Sequence, residues 1–295
     1  MNHIPVLLNE TIDSLDIKKG ETVIDATVGA GGHSKAICQK IGKDGILLGL
    51  DQDKTALKIA KENLAGEKCK VILENGNFRD ISALARGKNL RNADKILLDL
   101  GVSSMQFGPT GRGFSFLYDE PLLMTLKSDI GEDDLTAYEI INSYREEEIA
   151  GIIYKYGEER ASRRIAKEIV KARKVKPIAT SGELAEVVKK AFPAKHFKLN
   201  PATKTFQALR IAVNDELVAL ENGLKESWEI LSKGGRISVI SFHSLEDRIV
   251  KNFFKNLSKE KNGVLINKKP IIATREEIKS NPRSRSAKLR TIEKI

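Results

Sequence analysis

Over its first hundred residues the chain alternates short apolar runs with stretches that turn apolar every three to four positions. The runs fall near 22–26, 46–51, 71–74 and 95–100 and are rich in Val, Ile and Leu. Such runs suit strands covered on both faces. Between the second and third, Ala56, Ile59, Ala60 and Leu64 recur at helical spacing. Strand–helix alternation of this kind builds a parallel sheet. Beyond Gly113 the pattern changes, and from about 130 to 192 only helical periodicities occur. One helix is predicted over 146–154. A second, over 158–173, carries Ile165, Ile169 and Ala172 on one face, and a third is opened by the capping box Thr180-x-x-Glu183. A long helical pattern from Phe206 to Leu231 leads to Gly234-Gly235, read as a helix stop, and then to a fifth strand, Arg236 to Ser241. Segments near 264–273 and 286–294 have strand-like composition and would complete the sheet. The predicted architecture is α/β, with a discontinuous sheet domain (1–113 and 206–295). A helical insertion (114–205) returns through a linker at 195–201.

Three of the strand runs end in an acid: Asp25, Asp51 and Asp99. In open α/β sheets the strand C-termini face the ligand crevice, so all three carboxylates belong to one edge. Between Asp25 and Ser34 the chain turns through Gly29, Gly31 and Gly32 into a predicted helix. Glycines allow close backbone approach, and a helix start offers a positive dipole end. No Gly-Lys-Ser/Thr follows, so the loop is not a phosphate-binding P-loop. The strict G-x-G-x-x-G spacing of dinucleotide folds is also missing. An acid at the first strand end suits a cationic, amine-bearing ligand, and Asp51 is placed to accept from ribose hydroxyls. The pattern resembles that of S-adenosyl-L-methionine (SAM)-dependent methyltransferases. Without the other acids, the glycines are equally compatible with an ordinary strand–helix turn.

Composition narrows the picture further. Of 295 residues, 41% are apolar and 31% charged, which is ordinary for an enzyme. No apolar run approaches the roughly 18 residues that span a bilayer. The N-terminus lacks the features of a signal peptide, so a cytoplasmic location without membrane association is expected. Cys38 and Cys69 show no C-x-x-C pairing, and neither a disulfide framework nor a metal site is expected. The net charge of +10 points to a polyanionic partner because of where the cations lie. Arg160, Arg163, Arg164, Lys167, Lys171, Arg173, Lys174 and Lys176 crowd one predicted helix and its exit. A second run holds Arg283, Arg285, Lys288 and Arg290, with Ser284 and Ser286 alternating as hydrogen-bonding phosphate contacts would. A solvated basic helix face is the alternative for the first group.

Longer motifs carry a specific resemblance. They are His3-Ile4-Pro5-Val6-Leu7-Leu8, Gly31-Gly32-His33-Ser34, Asp99-Leu100-Gly101-Val102-Ser103-Ser104 with Gln106, Arg112-Gly113-Phe114-Ser115-Phe116, and Tyr156-Gly157-Glu158-Glu159-Arg160. Phe206-Gln207-Ala208-Leu209-Arg210-Ile211, Ser241-Phe242-His243-Ser244-Leu245-Glu246-Asp247-Arg248 and the basic run over 281–290 complete the set. End to end, the chain resembles the ribosomal RNA small-subunit methyltransferase H (MraW) family. The resemblance implies a class I, Rossmann-like methyltransferase sheet with an inserted helical subdomain that recognises RNA. It implies SAM as methyl donor and, as acceptor, the exocyclic N4 of a decoding-region (P-site) cytidine of 16S rRNA in the small ribosomal subunit. The family's cofactor contacts fall on Gly31, Gly32, His33, Asp51, Phe78, Asp99 and Gln106; from the basic clusters, RNA contacts are expected at Arg160, Arg163, Arg164, Arg283, Arg285 and Lys288. Asp99 is open to two roles, proton acceptor for the amino group or cofactor ligand. His243 is a second catalytic candidate, or a structural histidine paired with Glu246 or Asp247. Phe78 covers the adenine or fills the core. Gly108 stands where the family usually has Asp, and Leu123 and Thr125 replace an acid and a base of its Pro-Leu-Asp-Met-Arg-Met segment. A diverged paralogue with another RNA target, or an RNA-binding assembly factor without turnover, are the alternatives. A DNA amino-methyltransferase is disfavoured because no Asp/Asn-Pro-Pro-Tyr/Phe motif follows the fourth strand. Oligomeric state is open.

Overall fold

The structure, a computed structural model, describes residues 4–101, 108, 110–131, 133–192 and 200–295. The chain divides into two units, residues 1–101 with 217–295, and residues 102–216.

The first unit opens with α1 (Leu8–Leu15), β1 (Thr22–Asp25), α2 (Gly32–Ile41), β2 (Ile46–Asp51), α3 (Lys54–Leu64), β3 (Lys70–Asn75), α4 (Ile81–Gly87) and β4 (Ala93–Asp99). The second holds α5 (Ala137–Ser143), α6 (Glu146–Gly157), α7 (Ser162–Arg173), α8 (Ser181–Lys190) and α9 (Thr203–Asn214). The first then resumes with α10 (Glu216–Ile230), β5 (Leu231–Ser241), α11 (Ser244–Lys259), β6 (Gly263–Leu265), α12 (Arg275–Ser280) and β7 (Lys288–Lys294).

The seven strands run in the order β3-β2-β1-β4-β5-β7-β6. β1 to β5 are parallel, and β7 is antiparallel to both β5 and β6. Alternation along each strand feeds two cores. Ile24, Leu48, Leu50, Ile96, Leu98 and Val239 pack on one face with Leu220, Val250 and Phe254. Val23, Leu47 and Leu97 pack on the other with Ile37, Ala60 and Leu64. Burial on both faces explains why these strands read as unbroken apolar runs. Each fully buried Leu or Ile contributes about 1.5–3 kcal/mol. Because the central strands are parallel, Asp25, Asp51 and Asp99 end on one edge, as the alternation predicts.

In the second unit, one core gathers Ile140, Ile149, Ile153, Ile165, Ile169, Leu184, Val188, Phe206 and Leu209. Phe116 meets Phe206 edge to face, with ring centroids 5.3 Å apart. The Thr180–Glu183 capping box opens α8 as expected. Glu120 is buried and accepts the N–H groups of Gly111 and Gly113 at 2.8 and 2.9 Å, tying the Arg112-Gly113 turn to the helices.

Several expectations are corrected. The insertion is longer than 114–205, because α9 packs with the helices of the second unit, and the return to the first falls at 216/217. The pattern from Phe206 to Leu231 is two helices, broken at Asp215, which takes left-handed φ of 50°. Arg210 holds this corner with two 2.7 Å bonds to Glu216. The Gly234-Gly235 pair lies inside β5, beside the register slip against β4, and does not stop a helix. The helix predicted from Glu158 starts at Ser162, since Glu158 caps α6 in the left-handed region. Of the 264–273 segment, 264 and 265 lie in β6, and Ile271 adds an isolated antiparallel bridge to Leu289. Cys38 and Cys69 form a disulfide with Cα atoms 5.5 Å apart. The core packing of α2 brings them together, and a spacing of 31 residues carried no sign of it. The 195–199 part of the proposed linker lies outside the described residues. Among the described residues, no helix is long and apolar enough to cross a membrane.

A β-carbon added to Gly157 would lie 2.6 Å from the Lys204 carbonyl oxygen, where α6 and α9 approach. Gly157→Ala is therefore expected to destabilise the protein by about 1–3 kcal/mol, read as a lower urea midpoint.

Candidate functional site

The loop after β1 is organised by the carboxylates at the strand ends. Buried Asp25 accepts from the Ser34 hydroxyl at 2.7 Å and from the Thr27 N–H at 3.3 Å. Asp51 accepts the Gly29 N–H on one oxygen and the Asp53 N–H on the other, both at 2.9 Å. The Asp99 N–H donates to the Thr27 hydroxyl at 2.6 Å. Gly29 and Gly31 take φ of 51° and 86°, conformations that side chains resist, and so let the loop fold back over the ends of β1 and β2. Thr27 has no part in the sequence reading, and Ser34 enters it only as a helix start and motif member, not as a partner of Asp25. A hydroxyl two and nine residues beyond a strand-end acid is too common a pattern to stand out.

Burial raises Asp25 to about 6, opposed by the bonds from Ser34 and Thr27. Burial likewise raises Asp51 to about 6, opposed by the Asp53 and Gly29 N–H groups. Asp99 is pushed well above the usual carboxylate range by burial first, then by the charges of Asp25 and Glu246. Its Oδ1 is buried with no hydrogen-bond partner. Its Oδ2 lies 3.5 Å from His33 Nδ1. His33 is buried in the first turn of α2, with Nε2 3.0 Å from the Val6 carbonyl oxygen. Gly32 is required by packing, since a β-carbon there would sit 2.4 Å from Pro5.

The remaining candidates separate. The Phe78 ring lies against α10, where a β-carbon on Gly223 would come within 2.5 Å of it, and it is partly buried beside the core. His243 is the N-cap of α11 and forms a capping box with Glu246, its Nε2 3.2 Å from Glu246 Oε1. The Asp247 N–H donates to the His243 carbonyl at 3.1 Å, while its carboxylate accepts from Arg290 at 2.7 Å and Lys288 at 3.1 Å, which hold it below its ordinary range despite burial. Gln106 lies outside the described residues.

Arg163, Arg164, Lys167, Lys171 and Lys174 are exposed on α7 and its exit, at positions that share one face opposite Ile165, Ala166 and Ile169. Arg160, just before the helix, is exposed too. Arg173 is not on that face; it donates to the Ile141 and Tyr144 carbonyls at 2.6 Å. In the 281–290 run, Arg283 and Arg285 are exposed. The expectation for Ser284 is corrected: it is fully buried and its hydroxyl donates to the Asn281 carbonyl, because residues 282–286 form a tight turn.

The site fits a cationic nucleoside cofactor. Asp99 Oδ1 is a buried acceptor without a donor, two glycines open the loop in left-handed conformations, and no P-loop lysine is present for a phosphate. With the parallel sheet closed by antiparallel β7, the fold and site define a class I SAM-dependent methyltransferase.

Comparison narrows the class. The model of the MraW methylase family matches residues 1–295. Two relatives carry the same description, ribosomal RNA small subunit methyltransferase H. The protein of Clostridium botulinum (strain Kyoto / Type A2) is 47% identical over 99% of this chain and 99% of its own length. That of Clostridioides difficile (strain 630) is 44% identical over 100% of this chain and 99% of its own. The chain belongs to the MraW methylase family. Among solved structures, PH0851 shares the fold, with a TM-score of 0.51 and 14% identity, over 100% of this chain and 47% of that one.

Two outcomes test the site. Asp51→Ala is expected to weaken SAM binding roughly 10- to 100-fold, the loss of one or two hydrogen bonds to a charged acceptor; normal affinity by calorimetry in a folded variant would reject the ribose assignment. Asp25 is raised in the folded state, so its contribution to stability is full below the unfolded value near 4 and is lost as pH rises through about 6. The cost of Asp25→Asn should therefore shrink by roughly 2–3 kcal/mol between pH 4 and pH 7, measured by urea unfolding at each pH.

Proposed function

We propose that this protein methylates the exocyclic N4 of a decoding-region (P-site) cytidine of 16S rRNA within the small ribosomal subunit. The observation that carries the chemistry is the buried, unpartnered Oδ1 of Asp99 at the end of β4. Relatives described as ribosomal RNA small subunit methyltransferase H over nearly the whole chain support the RNA substrate. When bound, SAM supplies a methyl group on a sulfonium: the acceptor nitrogen's lone pair forms N–CH3 as the S–CH3 bond breaks toward sulfur.

The residues handle binding, orientation and the proton. Gly31, Gly32 and His33 line the cofactor loop, Asp51 holds ribose hydroxyls, and Phe78 borders the adenine side. Gln106 belongs to the same set by its motif. The difficulty lies in the nucleophile, whose lone pair is delocalised into the cytosine ring. Asp99 Oδ1 accepts a hydrogen bond from the amino group, helps it pyramidalise, and takes its proton. Holding the acceptor in line supplies most of the remaining rate. His243, fixed by its capping box, is at most a neighbour of the base. A cytidine stacked in rRNA is drawn out of its stack to reach this edge.

The helical unit is the RNA-recognition subdomain in this reading. The exposed face of Arg160, Arg163, Arg164 and Lys167 meets phosphates, as do Arg283 and Arg285. Lys288 contributes less, since it is already bonded to Asp247. A ribosomal substrate places the protein in the cytoplasm. A different RNA target is favoured by one observation: Leu123 and Thr125 replace a charged pair. Thr125 is buried and its hydroxyl accepts the Lys127 N–H.

The deciding experiment is methyl transfer from labelled SAM to small subunits and to naked rRNA, both from cells lacking this gene, followed by nucleoside mass spectrometry. N4-methylcytidine is expected; no product with cofactor binding retained would favour a different RNA target or the silent assembly factor. Replacing Arg163, Arg164 and Lys167 with Ala should weaken RNA binding and flatten the log–log salt dependence by about two to three. An unchanged slope would remove α7 from the interface.

A further inference from the structure

We propose that His33 and Asp99 work as a single proton-holding pair, emptied by the charge of the bound cofactor and refilled by the proton that the acceptor amine loses. The second half rests on the amine-methylation reading above, and the first half does not.

The geometry assigns the hydrogens. His33 Nε2 faces the Val6 carbonyl oxygen at 3.0 Å. A carbonyl only accepts, so Nε2 carries the hydrogen, and in the neutral ring Nδ1 presents a lone pair. That lone pair faces Asp99 Oδ2 at 3.5 Å. Two acceptor atoms left facing each other repel, whereas one proton between them turns repulsion into attraction. The pair is built to hold one proton, whichever atom carries it, and its members titrate together.

The surroundings strengthen this hold. Asp25 at the end of β1 and Glu246 on α11 are the charged neighbours that act on Asp99, and both are acids. His243 lies against Glu246, its Nε2 3.2 Å from Oε1. Burial and these anions favour the proton-bound state of Asp99 in the empty protein. Val6 belongs to the N-terminal motif that also sets Pro5 on Gly32, so the segment that accepts from His33 is itself packed on the loop.

A cation at the loop reverses the balance, because it favours the ionised carboxylate. Asp99 then releases its proton to solvent and meets the acceptor as a base. As the N–CH3 bond forms, the positive charge leaves the cofactor for the acceptor nitrogen. One N–H bond then breaks, its electron pair stays on nitrogen, and an O–H bond forms at Asp99 Oδ1. A half-turn of the carboxyl group then brings that proton to face His33 Nδ1, restoring the pair. No oxidant or further reactant is needed, and the site ends with neutral thioether, methylated amine and a proton-bound pair. His33 is a positioning residue here, acting through Asp99.

The test is calorimetric titration of the whole protein with SAM and with S-adenosylhomocysteine, in buffers of different ionisation enthalpy between pH 6.5 and 8.5. SAM carries one more positive charge than S-adenosylhomocysteine. About one proton should be released per SAM bound, and clearly fewer per S-adenosylhomocysteine. Asp99→Asn should abolish the difference between the two ligands. His33→Gln, whose amide still donates to the Val6 carbonyl, should keep SAM affinity within a few-fold but move the midpoint of proton release to a different pH. Equal release for both ligands on the unaltered protein would overturn the proposal, even if every variant failed to fold. So would unchanged release in Asp99→Asn. Correct proton release from a protein that makes no N4-methylcytidine would keep the pair and fault the target.

Discussion

Three carboxylates at one sheet edge, Asp25 buried and Asp51 and Asp99 half-buried, need donors, and the loop between β1 and α2 supplies most of them. An unpaired buried carboxylate is costly. Asp25 and Asp51 are therefore met by the Ser34 hydroxyl and by the N–H groups of Thr27, Gly29 and Asp53. Those bonds hold the glycine loop in a shape that isolated backbone would not favour. Asp99 is the exception, with its Oδ1 left without a donor. A fold that satisfies two acids and leaves the third open has put its unspent electrostatic free energy where a ligand arrives.

The second constraint comes from the beginning of the chain. Pro5 fills the space over Gly32, the Val6 carbonyl faces His33, and the Leu7 N–H donates to Glu277 of α12 at 2.8 Å. Leu7 is fully buried despite its left-handed φ of 52°. The N-terminal motif is therefore a strap that ties the cofactor loop to α12. Pro5, Val6 and Leu7 act there through packing, one carbonyl and one N–H.

Much of the site was readable in advance because strand-end acids and loop glycines are adjacent in sequence to the turns that use them. The basic face of α7 was readable for the same reason, since 3.6-residue periodicity separates Arg163, Arg164 and Lys167 from Ile165 and Ile169. Arg173 and Ser284 were not, because their partners are backbone carbonyls and their burial depends on elements packed around them. For His243, read as a catalytic candidate or a structural histidine, only the structure showed that Nδ1 caps α11 by accepting the Glu246 N–H. The break at Asp215 was invisible because both helices keep the same apolar period across it.

The sequence alone determined the α/β class, the order of the strands along the chain, the acids that close three of them, and the family resemblance. All of these depend on local period or on motifs of contiguous residues. Tertiary structure decided which groups share a proton, which cations are already used, and which cysteines meet. His33 and Asp99 are 66 positions apart, and only the parallel crossing of β1 and β4 puts them on one edge. Charge, burial and hydrogen-bond direction act through space, so they stay undetermined until the strands are side by side.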